Sequence, residues 1–427
     1  MSEGTSAGLH DDSDDPGAGA GAGSARKFAA SGKGPGRVRS AMTPIPRTSS
    51  FYARSWRDYL TRRGNDDELP VVRPTVALAG HAFVDEIVLA GFRILRPTID
   101  PQDLQRIERE TIAAVTLSKQ EGWIEQPATF FQQPPELTDV TLRAVASRRQ
   151  PYQQLTFESG YQPPAGMPGR QRWLSYTANA HAHAWMLRHD QPRPWLICVH
   201  GTSMGRPAID LALFRARWLH EQLGLNVLFP VLPLHGPRKR HLPKNAALPS
   251  EDVMNNVHGA AQSVWDVRRL ISWIRTQDDQ SPIGITGISL GGYITALVAS
   301  TQDGLACAVA GVPVVDLVDL IASHAGAYPH TQVARIMQPA KELARIISPL
   351  SLQPQVPFEG RFIYAGLADQ LVHPREQVQR LWNHWGNPQI KWYPGGHTGF
   401  ARSDPVQKFL LEALLQTGLV ERSRAKT

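Results

Sequence analysis

Apolar residues repeat with two different periods along this chain, and the change of period falls near residue 150. Val84, Val88, Phe92 and Leu95 recur at helical spacing and predict a helix over 77–94. Thr98, Asp100 and Pro101 then form a start signal for a second helix over 102–119. Beyond Tyr152 the spacing shortens: 154–161, 172–178 and 183–188 read as strands, an antiparallel start. Trp195-Leu-Ile-Cys-Val-His200 is a continuous apolar run of the kind buried on both faces of a sheet. Helices over 210–223, 252–275, 291–300, 375–385 and 405–415 then alternate with strands over 226–234, 283–288, 306–315, 361–366 and 389–393. Such alternation calls for an α/β fold, a mostly parallel central sheet with helices on both faces. The stretch 316–357 is longer than a direct strand-to-strand connection needs. Its two expected helices, 317–321 and 332–347, suit a small helical cap.

Composition divides the chain before residue 74 from the rest. The 427 residues are 42% hydrophobic and 19% charged, enough for a sizeable core, with 45 Lys+Arg against 38 Asp+Glu. The excess of base is local. Residues 1–15 hold five acidic residues and no base, whereas 26–63 hold ten basic residues and only Asp58 to oppose them. With its Gly/Ala run over 16–23, the segment 1–73 reads as a disordered arm, acidic and then basic. Its simplest reading is a solvated tail; a basic arm is also suited to peripheral contact with an anionic membrane. Few aromatics interleave with its charges and no binding module follows, so no nucleic-acid partner is expected. Residues 74–150 are expected to form a helical extension packing on the core, and 151–420 the main α/β domain. No signal peptide and no uncharged apolar run of membrane-spanning length is visible, because Val76–Leu95 contains His81, Asp85, Glu86 and Arg93. The chain is therefore expected to be soluble and cytoplasmic. Cys198 and Cys307 fall in expected buried strands, which suits small core residues. With no CxxC or Cys/His cluster no structural zinc is expected, and His181 and His183 alternate without an acidic or thiol partner.

The sharpest chemical signal is Gly287-Ile288-Ser289-Leu290-Gly291, a G-x-S-x-G motif. An apolar strand leads in and a helix-forming run leads out, so the serine sits on a strand-to-helix turn. That turn strains its backbone and lifts its hydroxyl to the carboxyl edge of the sheet, beside free helix N-terminal amides. A second loop, His200-Gly201-Thr202-Ser203-Met204-Gly205, follows the earlier buried strand. Asp369 lies just beyond the strand over 361–366, 80 residues after the serine, with Asp316 as a competing acid. His397 lies in the loop Tyr393-Pro-Gly-Gly-His-Thr-Gly-Phe400 after the last strand. Of the other histidines, His200 is expected to order its loop, and His235 and His258 to be packing groups.

These motifs resemble the α/β-hydrolase superfamily, in its serine esterase and dienelactone-hydrolase-like range, over roughly 172–415. The resemblance implies a triad in the order Ser289, Asp369, His397, with nucleophile, orienting acid and general base respectively. It also implies an oxyanion hole from the backbone N–H of Leu290 and that of Thr202 or Ser203, with Thr202 preferred. The function expected is cleavage of a carboxylic ester, of a small molecule or lipid, through an acyl-enzyme, with no cofactor or metal. A peptidase or acyltransferase would use the same three residues, and a non-catalytic binding protein can share the fold. Pro237-Arg238-Lys239-Arg240-His241 follows its strand at the expected rim of the site, where it suits a solvated loop or a contact to an anionic part of the substrate.

Overall fold

Runs in which every side chain is buried form the middle of the sheet. Strands β4 (Trp195–Val199), β5 (Asn226–Pro230), β6 (Ile283–Ile288) and β7 (Cys307–Gly311) have no exposed position. Alternate residues of β4 feed two separate cores: Trp195, Ile197 and Val199 one side, Leu196 and Cys198 the other. A sheet so placed needs helices on both faces, and the chain supplies them. The computed structural model describes residues 44–61, 69–95, 99–148, 150–324 and 330–424. The acidic run and the basic residues as far as Arg39 lie outside the described residues.

The nine-stranded sheet has the order β1-β2-β3-β5-β4-β6-β7-β8-β9. Strands β1 (Thr141–Val145), β2 (Tyr152–Glu158) and β3 (His181–Leu187) give the antiparallel start, and β3 pairs antiparallel with β5. From β5 onward, through β8 (Arg361–Gly366) and β9 (Gln389–Tyr393), every pairing is parallel. The fold is thus the mixed, mostly parallel α/β sheet that the sequence predicts. Both cysteines are buried and unpaired, and burial pushes the Cys307 thiol up to about 12.

Three helices precede the sheet: α1 (Pro44–Thr61), α2 (Val76–Leu95) and α3 (Pro101–Gln120). Helix α1 corrects the reading of 1–73 as a single arm without regular structure. Tyr52, Trp56 and Tyr59 recur at helical spacing, and their rings meet edge to face at 6.3 and 6.0 Å. Helix α3 starts as expected, with Asp100 accepting from the Gln102 N–H at 2.9 Å and Pro101 in the first turn. The segment 172–178 is not a strand. Gly169, at φ 73°, instead turns the chain into α4 (Arg170–Ser175) and a 3₁₀ turn (Thr177–Asn179). There Trp173 donates to Gln262 at 2.8 Å, and Arg172 reaches Glu110. The helix expected over 210–223 is broken. Helix α5 (Pro207–Leu213) stops short of Arg215, at φ 52°, whose guanidinium bonds the Ala401 carbonyl and Gln407.

Behind the sheet's first strands lies a buried charge network. Arg238, fully buried, donates to Asp266 at 2.8 Å, to the Val231 carbonyl at 2.9 Å and to the Asn179 carbonyl at 2.8 Å. Asp266 lies on α6 (Val253–Gln277) and also accepts from Ser159 at 2.5 Å. Arg238 is therefore withdrawn from the rim cluster in which the sequence placed it. Among the described residues no helix is long and apolar enough to cross a membrane. Removing one partner of the buried pair strands the other's charge. Asp266→Ala is therefore expected to cost roughly 3–5 kcal/mol in denaturant unfolding. Arg217→Ala, which breaks an exposed pair with Glu221, should leave the midpoint almost unchanged.

Candidate active site

The serine turn is set by close backbone approach. A Cβ on Gly287 would lie 2.2 Å from the Gly291 carbonyl oxygen, and one on Gly291 would lie 2.0 Å from the Val199 carbonyl oxygen. Only glycine fits either side of Ser289. The serine itself sits at φ 56°, ψ −117°, a conformation L-residues rarely hold. Its backbone N–H donates to the Gly311 carbonyl at 2.9 Å, which fixes the turn to β7. Helix α7 (Leu290–Thr301) begins at the next residue, so the Leu290 amide belongs to the free first turn.

The loop after β4 lies against this turn. A Cβ on Gly201 would sit 3.5 Å from the Ser289 Cβ and 3.2 Å from the Ile288 carbonyl oxygen. Thr202 thus follows directly beside the serine. His200 orders that loop: its Nε2 accepts from the Leu232 N–H at 3.1 Å, so its Nδ1–H donates to the Gly201 carbonyl at 2.8 Å. Burial, with His235 nearby, lowers its pKa to about 3 and keeps it neutral.

His397 and Asp369 are in contact. The His397 Nδ1 lies 2.7 Å from Asp369 Oδ2, and both residues are buried. Asp369 Oδ1 accepts from the Leu371 and Val372 amides at 2.9 and 2.8 Å, which fixes the carboxylate. The competing acid, Asp316, goes elsewhere: it accepts from the Asp319 amide at 3.0 Å and from Arg380 at 3.2 Å. His258 accepts no role here, its Nε2 meeting the Pro168 carbonyl at 2.9 Å. His183 lies beside Thr156 and Gln154. No group of three or more potential metal-ligating side chains occurs among the described residues.

A third member of the site comes from outside the sheet. Asp85, on α2 and almost fully buried, accepts from the His397 N–H at 2.8 Å and from the Gln370 N–H at 3.1 Å, both through Oδ2. It holds together the loops that carry the histidine and the acid. Gly396 leaves room for it, since a Cβ there would lie 2.7 Å from Asp85 Oδ2. Burial, then the charge of Asp369, raises the Asp85 pKa to about 6 against the pull of the two amides. For His397 burial pushes downward, but the charge and hydrogen bond of Asp369, with Asp85 behind, win and raise its pKa. In the sequence Asp85 stands out only as a carboxylate on the buried face of an apolar helix. That anomaly is the signal that points to it.

Ser289 and His397 open on one cavity of about 770 Å³, which Thr202 also lines. Its walls are mostly apolar: Val88, Leu89 and Phe92 from α2, Ile107 from α3, and Leu320 from α8 (Leu317–His324). The helices before the sheet and the cap insertion therefore roof the site jointly. Lys119 of α3 also pairs with Glu342 of α9 (His330–Ala344) at 2.7 Å. One end of the cavity is polar, where Arg106 meets Asp252 at 2.9 Å.

The strand order, the serine turn between β6 and α7 and the buried His–Asp pair after the last strands define an α/β-hydrolase. The model of the prolyl oligopeptidase family matches residues 262–399, the stretch holding Ser289, Asp369 and His397, and the chain belongs to the α/β-hydrolase superfamily. Within it the chain belongs to the family of the uncharacterized protein Rv2627c of Mycobacterium tuberculosis, 54% identical over 389 residues, which cover 91% of this chain and 94% of the relative. A second uncharacterized protein of that species, from the Oshkosh strain, matches at the same identity and coverage. Among solved structures, acetyl xylan esterase 1 from Thermoanaerobacterium is similar at TM-score 0.47 and 16% identity, over 70% of this chain and 93% of that one. Acylaminoacyl peptidase from Pyrococcus horikoshii is similar at TM-score 0.41 and 13% identity, over 65% of this chain and 42% of that one.

The two carboxylates can be separated by titration of His397. Replacing either by its amide removes a negative charge that favours the imidazolium, so the pKa of His397 must fall. Side-chain NMR is expected to show a larger fall in Asp369→Asn than in Asp85→Asn. An unmoved titration in Asp85→Asn would remove Asp85 from the electrostatics of the site.

Proposed function

We propose that the protein is a serine hydrolase that cleaves carboxylic esters. The observation that carries this reading is the buried His397–Asp369 pair, at 2.7 Å, whose histidine opens on the same mostly apolar cavity as a strained Ser289 set between Gly287 and Gly291. In this reading Ser289 Oγ attacks the carbonyl carbon while its proton passes to His397 Nε2, the nitrogen turned away from Asp369. Asp369 keeps the proton on Nδ1 and stabilises the imidazolium without taking the proton itself. The N–H groups of Leu290 and Thr202 hold the oxyanion. His397 then gives its proton to the departing alcohol. Water repeats the sequence on the acyl-enzyme and releases the acid.

An ester with an apolar acyl group suits the cavity walls, since Val88, Phe92 and Ile107 offer no partner for a peptide backbone. A peptidase is the second reading, favoured by the prolyl oligopeptidase family match over 262–399. A graded series of acyl esters set against acyl-peptide anilides separates the two.

A fluorophosphonate probe is expected to label the protein at Ser289 and to leave Ser289→Ala unlabelled. His397→Ala should lower ester kcat/KM by at least about 10³-fold. Asp369→Asn should cost roughly 10³–10⁴-fold with the fold intact. Folded protein that takes no label and turns over no ester would overturn the reading.

A further inference from the structure

On the far side of the loop Thr202–Met204 lies a second cavity, of about 900 Å³. The two cavities share that loop, together with Lys239, Ala247 and Pro249, so the loop is a partition between neighbouring compartments. Their chemistry differs. The first is mostly apolar, whereas the second is lined by Arg143, Arg206, Lys239 and Arg240 and by no carboxylate.

Several other arginines of this protein are neutralised by carboxylates: Arg106 and Arg172 by Glu110 and Asp252, Arg238 by Asp266, Arg380 by Asp316. None of the four cations of the second cavity makes an ion pair with a described residue. Arg143 donates to Gln154 at 2.8 Å, a neutral partner. Four exposed cations around one cavity whose lining holds no carboxylate repel one another, and an anion placed among them relieves that repulsion. His183, on the same wall, is held neutral by burial and then by Arg238, which adds a polar lining without adding charge.

We infer that this cavity binds the anionic portion, phosphate or carboxylate, of an ester whose apolar acyl group fills the compartment under α2. The inference rests on the ester-hydrolase reading above and names its substrate class: amphiphilic esters with an acidic alcohol portion. Arg206 lies four residues after Thr202, on the chain leaving the partition, so the anion would sit close to the scissile bond. The guanidinium groups suit the paired oxygens of either acid.

The test uses three hexanoyl esters with similar alcohols: propyl hexanoate, 3-carboxypropyl hexanoate and 3-phosphonooxypropyl hexanoate. Binding is read by calorimetry on Ser289→Ala protein, which keeps the cavity and cannot form an acyl-enzyme. At least one charged ester is expected to bind ~10-fold tighter than propyl hexanoate, and the better of the two identifies the acid recognised. The double substitution Arg206→Gln with Arg240→Gln should erase most of that ratio, and added salt should erode it. Equal binding of all three esters overturns the inference, as does a preference that survives the double substitution. Hydrolysis by the unsubstituted protein is read in parallel. Turnover of all three esters with no charge preference in binding sinks the anion site and leaves the ester hydrolase standing. Charge-dependent binding without turnover keeps the anion site and sinks the hydrolase.

Discussion

Two buried carboxylates stand beside one buried imidazole, and much of the structure serves that arrangement. Asp369 accepts two backbone amides and the imidazole, and Asp85 accepts the amides of His397 and Gln370. Burial first, and then the repulsion between the two carboxylates, raises the pKa of Asp85. The arrangement holds because each oxygen used has a fixed N–H partner, whereas a loose one would let the pair separate or draw in solvent. The sheet positions one acid and the histidine. The second acid must come from a helix that lies outside the sheet.

How much of this was legible in the sequence depended on the range of the interactions concerned. The strands Ile283–Ile288 and Arg361–Gly366 fall at the expected bounds, because almost fully buried parallel strands are written as local apolar runs, and the half-buried edge strand Gln389–Tyr393 also falls where expected. Ser289 was legible for the same reason: its strand, its glycines and its helix are contiguous. Arg170–Ser175 was misread because six residues are too few for a period of two to be told from one helical turn. Helix α1 was hidden because its aromatic repeat is diluted by the basic and Gly-rich residues around it. Asp85 could not be assigned at all, since its two partners lie 285 and 312 positions further along the chain. Local pattern could say only that a carboxylate on that helix face was out of place.

The loop after β4 does two jobs with one backbone. Neutral His200 ties it to the strand end at Leu232, so that Thr202 meets the serine turn on one side. On the other side the same residues wall off a basic compartment. Arg238 and Lys239 divide the charge of the next segment in a similar way: Arg238 turns inward to Asp266 and anchors it, and Lys239 stays at the rim. A sequence cluster of like charges thus resolves into one structural cation and others left free, a division set by a single buried partner.

The 312 residues that separate Asp85 from His397 also order events during synthesis. At ordinary translation rates the helix bearing Asp85 leaves the ribosome on the order of 15–60 s before the histidine loop exists. Its carboxylate lacks the His397 amide throughout that interval and the Gln370 amide for all but the last 27 residues of it, and Leu89, buried in the main core of the folded protein, lacks most of its partners. The helix therefore waits for both of its hydrogen-bond donors while more than 280 further residues are joined. The two loops that Asp85 joins can therefore be tied together only after residue 397 has been made, and a chain cut short before it leaves the helix carboxylate without that partner.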